Sequence, residues 1–159
     1  MSSNQRFQRQ GRAPFKAVSA SNPELGFAAK ATGIIEKGSF TAEYQGEVIT
    51  EDECKRRKLE YEGERHFYFM NLVPGLHVDA SRKAQVTRFT NHSCDPHATT
   101  EKWTIRGSPR NGIFVMRDIA KGEEITFDYQ SSKKGSDVVP VRCLCGTAKC
   151  RDFLVGGQE

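Results

Sequence analysis

The sequence contains no apolar run that approaches the roughly 20 residues that a membrane-spanning helix requires. Its first residues, MSSNQRFQ, also lack the apolar stretch that forms the centre of a signal peptide. These two absences predict a soluble, intracellular protein that does not associate with a membrane. The regular alternation of helices and strands that would indicate a parallel α/β sheet is missing as well.

The excess of charge of one sign is small, because 24 Lys and Arg residues stand against 20 Asp and Glu residues, which leaves a net charge of +4. A charge of this size suits an acidic partner such as DNA, but it does not by itself identify a nucleic-acid-binding protein. The 159 residues, 36% hydrophobic and 28% charged, have the length and composition of one globular domain with its own core.

Cysteine is scarce, yet four of the five cysteines fall in a pattern that indicates a metal site. Cys143, Cys145 and Cys150 form a C-x-C-x4-C cluster, which is one thiolate short of a tetrahedral zinc site. Cys94, in the polar stretch NHSCDP, supplies a fourth thiolate, so we predict that these residues bind one structural Zn2+ with no open coordination position. Free thiols and a disulfide between two of them are the alternatives. Cys54 lies in a charged helical stretch and is interpreted as uninvolved.

Local patterns predict many short strands and one clear helix. Thr50 followed by Glu53 is a capping-box signature for the start of the helix. Pro74-Gly75 predicts a hairpin turn, and a second polar turn is predicted over Arg106–Gly112. The predicted strands lie within 33–49, 67–72, 76–79, 103–105, 113–116 and 125–129. This order predicts a mainly β fold of several small sheets with short helices.

Four ordered motifs carry a resemblance to a known family. They are EYQGE at 43–47, NHSCDP at 91–96, EITFDY at 124–129 and the tail segment CRDFL at 150–154. With this order and spacing, the chain resembles the SET-domain protein lysine methyltransferases from Gly26 to Gly157. The resemblance implies a β-clip-like SET fold with a threaded C-terminal loop crossing and a zinc-bound post-SET tail.

Three further segments are similar to the enzymes that methylate histone H3 at lysine 36: HFYFMNL at 66–72, EKWTI at 101–105 and FDYQ at 127–130. The lead-in NQRFQ at 4–8 resembles the end of the cysteine-rich AWS segment that precedes SET in that group. We therefore expect a fragment of a larger protein that begins just after the AWS module. The implied organisation is an AWS-like lead-in at 1–15, the SET domain at 16–130, a linker at 131–140 that acts as a lid on the lysine channel, and the post-SET zinc segment at 141–159.

The resemblance implies S-adenosylmethionine as the methyl donor and histone H3 in nucleosomes as the substrate, with lysine 36 as the target. It also implies a monomer in the nucleus, on the chromosome, that binds the histone H3 tail and could contact DNA through its basic surface. Two other classes stay open. One is a degenerate SET module that binds chromatin or protein partners without catalysis. The other is a zinc-stabilised nucleic-acid-binding domain, which would need exposed aromatic side chains for stacking.

Methyl transfer to a lysine amine requires a narrow channel that aligns the amine with the donor. The resemblance places the hydroxyl of Tyr129 at the transfer point. It makes Phe127 the residue that controls how many methyl groups fit, and a Phe there leaves room for a dimethyl or trimethyl product. By the same resemblance Phe67 and Tyr68 line the channel. A core tyrosine at Tyr129 and simple strand packing of Tyr68 are the alternatives.

The resemblance assigns cofactor binding to a loop, a polar pair and the tail. Asn91 and His92 hold polar groups of the cofactor, and a satisfied buried Asn–His pair is the alternative. Lys30 is expected near the cofactor carboxylate, and Arg88 is expected to brace the loop that carries Asn91. The full set of expected cofactor residues is Gly26, Phe27, Lys30, Arg88, Asn91, His92, Phe153 and Leu154.

Four positions depart from the family pattern. Ala28 stands in place of the second Gly of the cofactor loop, where a Cβ could crowd the ligand or demand a different φ. His97 stands where an Asn normally helps to lock the loop crossing, and Ala84-Gln85 stands where Gly-Asn is usual. Phe67 replaces a channel Tyr. Ala28 and His97 are the reason for keeping the non-catalytic module as an alternative.

Overall fold

A computed structural model of the chain describes residues 13–61, 68–83, 85–129 and 140–155. Within these residues it contains twelve short strands, one α-helix and two 3-10 helices, so the predicted mainly β fold of several small sheets is confirmed. The lead-in 1–12, Phe67, Ala84 and the linker 131–139 lie outside the described residues. The threaded crossing and the lid therefore stay predictions. None of the described helices is long and apolar enough to cross a membrane.

The chain folds as two units, of which the first comprises Ala13, Gly38–Arg88 and Thr100–Phe114. In this unit β4 (Glu47–Thr50), β5 (Phe69–Val73) and β6 (Leu76–Asp79) form an antiparallel sheet in the order β4-β6-β5. Strand β3 (Phe40–Glu43) pairs with β9 (Ser108–Val115), which forms a hairpin with β8 (Ala98–Ile105). Most of that hairpin belongs to the first unit, while Ala98, Thr99 and Val115 belong to the second.

Helix α1 (Glu51–Glu60) begins where the capping box predicts, because the Thr50 hydroxyl accepts a hydrogen bond from the Glu53 amide at 3.3 Å. An arginine holds the helix on the sheet. The Arg57 guanidinium donates to Glu53 at 2.7 Å, to Glu47 of β4 at 2.9 Å and to the buried Asp79 of β6 at 2.8 Å. The Arg57 guanidinium therefore forms ion pairs with the helix and with both of its neighbouring strands, and one of its partners is a buried carboxylate.

The two hairpins of the first unit differ in how well the sequence predicts their turns. The turn at Pro74-Gly75 is confirmed, and Gly75 has a φ of +83°. The polar turn predicted over Arg106–Gly112 is wrong in extent, because the turn is only Arg106-Gly107 and β9 begins at Ser108. Two consecutive positive φ values, 49° and 80°, close this turn in two residues, as in the tight turns of twisted hairpins. The polar residues that follow belong to β9, and Gly112, Ile113 and Phe114 at its other end pair with β3.

The glycine of the EYQGE motif lies where two segments of the first unit approach closely. A Cβ on Gly46 would lie 2.3 Å from the carbonyl oxygen of Asp79, a distance that real Cβ atoms do not show. Only glycine lets the chain pass β6 at this separation, and the next residue, Glu47, then pairs with Asp79. Glycine is therefore required at this position by packing.

The second unit comprises Pro14–Lys37, Phe89–Thr99 and the residues from Val115 onward. Strand β1 (Phe15–Ser19) pairs antiparallel with β2 (Phe27–Ala31), and a 3-10 helix (Pro23–Leu25) lies between them. A second 3-10 helix (Val86–Phe89) leads into this unit, where β7 (Asn91–His92) pairs parallel with β10 (Thr126–Phe127). Strand β11 (Val141–Arg142) pairs antiparallel with β12 (Phe153–Val155) in the tail. The strand predicted over 125–129 is thus reduced to two residues.

Candidate functional site

The four cysteines predicted to bind zinc converge in the second unit. Their sulfur atoms all lie within 4.8 Å of one another, and Sγ of Cys94 is 3.7 Å from Sγ of Cys143. A tetrahedral zinc ion with Zn–S bonds of about 2.3 Å would separate its ligand sulfurs by about 3.8 Å. None of the described cysteines forms a disulfide, and Cys54, which is buried in α1, is not a member of this cluster. The donor set and its spacing therefore fit one Zn2+.

Hydrogen bonds favour ionisation of one of these thiols. Burial raises the pKa of Cys143 above its ordinary value. Burial acts in the same direction at Cys145, but hydrogen bonds from the Thr147 hydroxyl and from backbone amides outweigh it and lower the pKa of Cys145 to about 6. The Cys145 sulfur lies 3.3 Å from Oγ1 of Thr147. Cys145 is therefore largely a thiolate at neutral pH, the form that binds zinc.

The His92 ring connects the cysteine cluster to Tyr129. The backbone N–H of Tyr129 donates to Nδ1 of His92 at 3.1 Å, so the proton of the neutral ring is on Nε2. That Nε2 lies 3.3 Å from Sγ of Cys94. Burial lowers the pKa of His92, and nearby Asp128 opposes this effect while Arg151 adds to it. The ring is therefore neutral and bonded on both nitrogens.

Tyr129 and Phe127, the two predicted residues of the transfer site, lie together. Their ring centroids are 4.8 Å apart, and the Tyr129 hydroxyl donates to the carbonyl oxygen of Thr90 at 2.9 Å. Phe127 is buried, whereas Tyr129 is half-buried. Because the hydroxyl proton is engaged by Thr90, the phenolic oxygen acts as an acceptor toward any other polar group. The catalytic roles of both residues stay predictions.

The predicted cofactor loop is bonded to the Asn91 side chain. Nδ2 of Asn91 donates to the carbonyl oxygen of Phe27 at 2.9 Å, and it lies 3.4 Å from Oε1 of Glu124. The Phe27 ring is 54% exposed and lies 5.2 Å from the ring of Phe89. An exposed aromatic face beside an amide suits a flat heteroaromatic ligand such as adenine. Asn91 and His92 are also satisfied within the protein, as the alternative requires, so their cofactor role stays a prediction.

Gly26 and Lys30 frame the same loop. Gly26 ends the 3-10 helix with a φ of 71°, and its N–H donates to the carbonyl oxygen of Pro23 at 3.1 Å. Nζ of Lys30 is 3.1 Å from Oγ of Ser21, so its charge lies at the β1–β2 turn. A cation there suits a carboxylate ligand group. With the exposed Phe27 and the Asn91 amide, this loop carries the types of group that S-adenosylmethionine would need, namely an aromatic face, an amide and a cation.

The tail residues Phe153 and Leu154 follow directly on the cysteine cluster. Phe153 of β12 pairs with Arg142 of β11, and the amide of Cys143 donates to the carbonyl oxygen of Asp152 at 2.8 Å. Both predicted cofactor residues are half-buried. The short β11–β12 ladder thus fixes the backbone of this segment next to Cys143.

Two departures from the family pattern have local explanations. Ala28 is fully buried within β2 opposite Val18, and it is not among the described non-glycine residues with positive φ, so glycine is not required there. The backbone N–H of His97 donates to Oγ1 of Thr126 at 3.4 Å, and its Nδ1 lies 3.2 Å from the same oxygen. The carbonyl of His97 also accepts a hydrogen bond from the Met116 amide at 2.8 Å. His97 therefore ties this loop to β10, as an Asn would be expected to do.

Tyr68 and Arg88 belong to the first unit, where they contact each other. The Arg88 guanidinium carbon lies 4.6 Å from the centroid of the Tyr68 ring, and Nη1 of Arg88 donates to the carbonyl oxygen of Ser81 at 3.2 Å. The Tyr68 carbonyl accepts hydrogen bonds from the Ala80 amide and the Tyr44 hydroxyl, at 2.9 and 3.3 Å. These contacts also suit a packing role, so the channel and cofactor assignments stay predictions.

Sequence reasoning did not assign a role to Asp128 or to Arg151. Nη2 of Arg151 donates to Oδ1 of Asp128 at 2.8 Å, and the Arg151 amide lies 3.4 Å from Sγ of Cys94. The available signal was position, because Asp128 separates Phe127 from Tyr129 and Arg151 follows the last cysteine. Neither motif indicates which acidic residue this arginine contacts.

Known proteins resemble the chain over nearly its whole length. A family model described as the SET domain matches residues 26–130. The H3 lysine-36 specific histone-lysine N-methyltransferase of Kluyveromyces lactis is 42% identical over 98% of this chain and 22% of that protein. Its Saccharomyces cerevisiae counterpart is 41% identical over 98% of this chain and 21% of its own length. Histone-lysine N-methyltransferase Set2 of Drosophila melanogaster is 41% identical over 98% of this chain and 7% of its own length.

The chain thus spans about a fifth, or less, of the length of these curated relatives. The family match nevertheless covers well over half of the chain and includes the segments that carry Asn91, Cys94 and Tyr129. The resemblance drawn from the four motifs is therefore confirmed, and the chain belongs to the SET domain family.

Proposed function

We propose that this chain is an S-adenosylmethionine-dependent protein lysine N-methyltransferase that acts on histone H3 in nucleosomes, at lysine 36. The relatives that are 41 to 42% identical across the chain carry that activity or that target in their names. The observation that carries the proposal is the grouping of the Tyr129 and Phe127 rings with His92 and the four-cysteine cluster in the second unit.

The protein would contribute alignment and polarity to the reaction. When bound, S-adenosylmethionine supplies a methyl group on a sulfonium to an amine that has lost its proton. Phe27, Asn91 and Lys30 offer the groups that suit its adenine, its polar atoms and its carboxylate. The Tyr129 oxygen, with its proton engaged by Thr90, would act as an acceptor at the site of transfer. Because alignment is the main requirement of such a transfer, rigid aromatic walls suffice and no strong acid is needed.

Phe127 supports a product that carries more than one methyl group. Its ring is buried against Tyr129 and has no hydroxyl that could hold a water molecule in the channel. A water at that position would occupy space that a second or third methyl group needs. We therefore propose a dimethyl or trimethyl product.

One structural Zn2+ belongs to the proposal, held by Cys94, Cys143, Cys145 and Cys150. The ion would join the NHSCDP loop to the tail that carries Phe153 and Leu154. Because such sites fold with their metal, the cofactor-facing tail would depend on zinc for its placement. The division into a SET domain at 16–130 and a post-SET segment at 141–159, with a lid at 131–140, is part of the same proposal.

Action on nucleosomes would place the protein in the nucleus, on the chromosome, and we propose that it acts there as a monomer. DNA contact is supported by exposed cations of the first unit, such as Lys55, Arg82 and Lys83. The helix contributes less than its basic sequence suggests. Arg56 and Arg57 form ion pairs with acidic residues of the helix and its neighbouring strands. Lys55 and Arg82 also pair with acidic residues of the helix, Glu51 at 3.7 Å and Glu60 at 3.6 Å, so Lys83 is the main candidate for DNA contact among these cations.

The test is transfer of labelled methyl groups to recombinant nucleosomes, with nucleosomes whose histone H3 lysine 36 is replaced by alanine run alongside. The proposal predicts label on the first substrate and none on the second. Label on both would keep the enzyme and discard the target. Absence of label together with absence of cofactor binding by calorimetry would favour the degenerate module that binds chromatin without catalysis.

A further inference from the structure

Asp128 and Arg151 join two parts of the second unit that lie 23 positions apart in the sequence. Nη2 of Arg151 donates to Oδ1 of Asp128 at 2.8 Å. We propose that these are positioning residues, whose ion pair lets the cysteine-bound tail fix the backbone of Tyr129 for methyl transfer. The inference rests on the proposed function for its catalytic consequence, and on geometry alone for the contact itself.

One end of the pair is anchored at the cysteine cluster. Arg151 follows Cys150 directly, and its amide lies 3.4 Å from Sγ of Cys94. The backbone from which the guanidinium extends is therefore held by two of the four metal-ligating residues. Any ordering of the cluster by its metal also orders Arg151.

The other end of the pair is in the segment that carries the aromatic residues. Asp128 lies between Phe127 and Tyr129 in sequence, whose rings contact each other, and its carboxylate accepts the hydrogen bond from the tail. A contact at Asp128 therefore acts on the backbone at both aromatic residues.

The ion pair also encloses the ring that holds the Tyr129 amide. Nη2 of Arg151 lies 3.4 Å from Nε2 of His92, and Oδ1 of Asp128 lies 3.6 Å from Nδ1. The Tyr129 amide donates to that same Nδ1 at 3.1 Å. With the ring proton on Nε2, neither of these two contacts is a hydrogen bond, so the ion pair acts on Tyr129 through the backbone of Asp128. Its loss would loosen the segment whose Tyr129 amide bonds to His92.

The exposure of the pair indicates a local role. The Arg151 side chain is 53% exposed and that of Asp128 is 28% exposed, and ion pairs of this kind add little to global stability. A displacement of about 1 Å at a reacting group can nevertheless lower a rate by about 100-fold. Variants of these two residues should therefore stay folded while the alignment of Tyr129 changes.

The experiment compares zinc-loaded wild type with Asp128→Asn, Arg151→Gln and Arg151→Lys. The matched control is Lys149→Gln, which removes another exposed ion pair between the tail and the NHSCDP loop, at 3.1 Å from Asp95. Three quantities are measured: hydrogen exchange of the Tyr129 amide by NMR, kcat and KM on nucleosomes, and zinc content. The amide measurement does not depend on activity.

We expect Asp128→Asn and Arg151→Gln to speed Tyr129 amide exchange by about tenfold, because a local opening becomes easier. The same variants should lower kcat by about 10- to 100-fold with little change in KM. Arg151→Lys keeps the charge and should stay near wild type, and Lys149→Gln should leave all three quantities unchanged.

Unchanged Tyr129 exchange in both Asp128→Asn and Arg151→Gln would overturn the proposal. Loss of zinc from Arg151→Gln would also overturn it, because the arginine would then act on the metal site. A wild-type protein that transfers no methyl group would instead contradict the proposed function, and the exchange data would still decide whether the ion pair holds Tyr129.

Discussion

Replacement of Gly46 by alanine is the substitution whose effect the structure defines most sharply. The new Cβ would lie 2.3 Å from the Asp79 oxygen, 2.7 Å from its carbonyl carbon and 2.9 Å from the Ala80 nitrogen. Unstrained contacts need about 3.5 Å, so the chain at Gly46 and β6 would have to separate by about 1 Å. All three atoms are backbone and cannot move as a flexible side chain does. Separation would disturb the adjacent pairing of Glu47 with Asp79.

Overpacking of this kind costs about 3 kcal/mol, at the upper end of its usual range. For a chain of this size each kcal/mol lowers Tm by about 2–4 °C, so Gly46→Ala should lower Tm by about 6–12 °C. Thermal unfolding followed by circular dichroism measures the shift, with unfolding in urea as an independent measure of the free energy.

Alanine substitutions at two other glycines distinguish the destabilising effect of steric crowding from that of backbone strain. Gly107 has a φ of +80° and nothing within 4 Å of the point that a Cβ would occupy, so Gly107→Ala should cost about 1 kcal/mol from strain alone. Gly33 would place its Cβ at an ordinary 3.4 Å from Pro14, so Gly33→Ala should change stability by less than about 0.5 kcal/mol. If Gly46→Ala proved no more destabilising than Gly33→Ala, that result would contradict the close approach of Gly46 to the backbone of β6.

Three further predictions concern charge, a loop contact and the metal. Arg57→Met should lower the unfolding free energy by about 3 kcal/mol at pH 7 in urea, because Asp79, 1% exposed at its side chain, loses its cation. Burial raises the pKa of Asp79, but hydrogen bonds from Ser81 and Arg57 together outweigh burial and lower it, so the stabilisation is present at neutral pH. The difference between variant and wild type should therefore shrink as the pH falls below about 4, and a constant difference would refute this account. His97→Ala should destabilise the protein by about 1 kcal/mol in the same assay, and His97→Asn by less, through the contact with Thr126; equal losses would argue against that contact. Treatment with a strong chelator should release one zinc ion per chain and abolish methyl transfer reversibly, whereas a protein purified without zinc that remains active would contradict the metal site.

Local signals in the sequence were sufficient for the features that short segments determine. The Thr50 cap and the Pro74-Gly75 turn follow from the residues that form them, since a hydroxyl cap and a positive φ have few alternatives. The cysteine cluster was also predictable, because thiolates at these spacings have few uses in a reducing compartment. The mainly β fold followed from the sum of such segments.

Other features depend on contacts between distant segments and had no local signal. The polar run after Gly107 is typical of a loop, yet it forms strand β9 because Arg110 pairs with Glu43 at 3.0 Å and Asn111 bonds the carbonyl oxygen of Asn71 at 3.1 Å. The pairing of Asp128 with Arg151 likewise requires the tail to be in place. The conformation at these positions depends on contacts with residues that are distant in the sequence. The local sequence indicates only that a charged or polar side chain is present.

The most direct test of the account is the effect of Tyr129→Phe on methyl transfer to nucleosomes, with Tyr61→Phe as a matched control. Tyr61 lies in the first unit, where its ring is 6.1 Å from that of Phe69, and it has no part in the proposed reaction. The account predicts that Tyr129→Phe lowers kcat by about 100-fold or more with cofactor binding intact by calorimetry, while Tyr61→Phe stays at the wild-type rate. Equal rates for Tyr129→Phe and wild type would contradict the central assignment, because the hydroxyl would then have no role in the transfer.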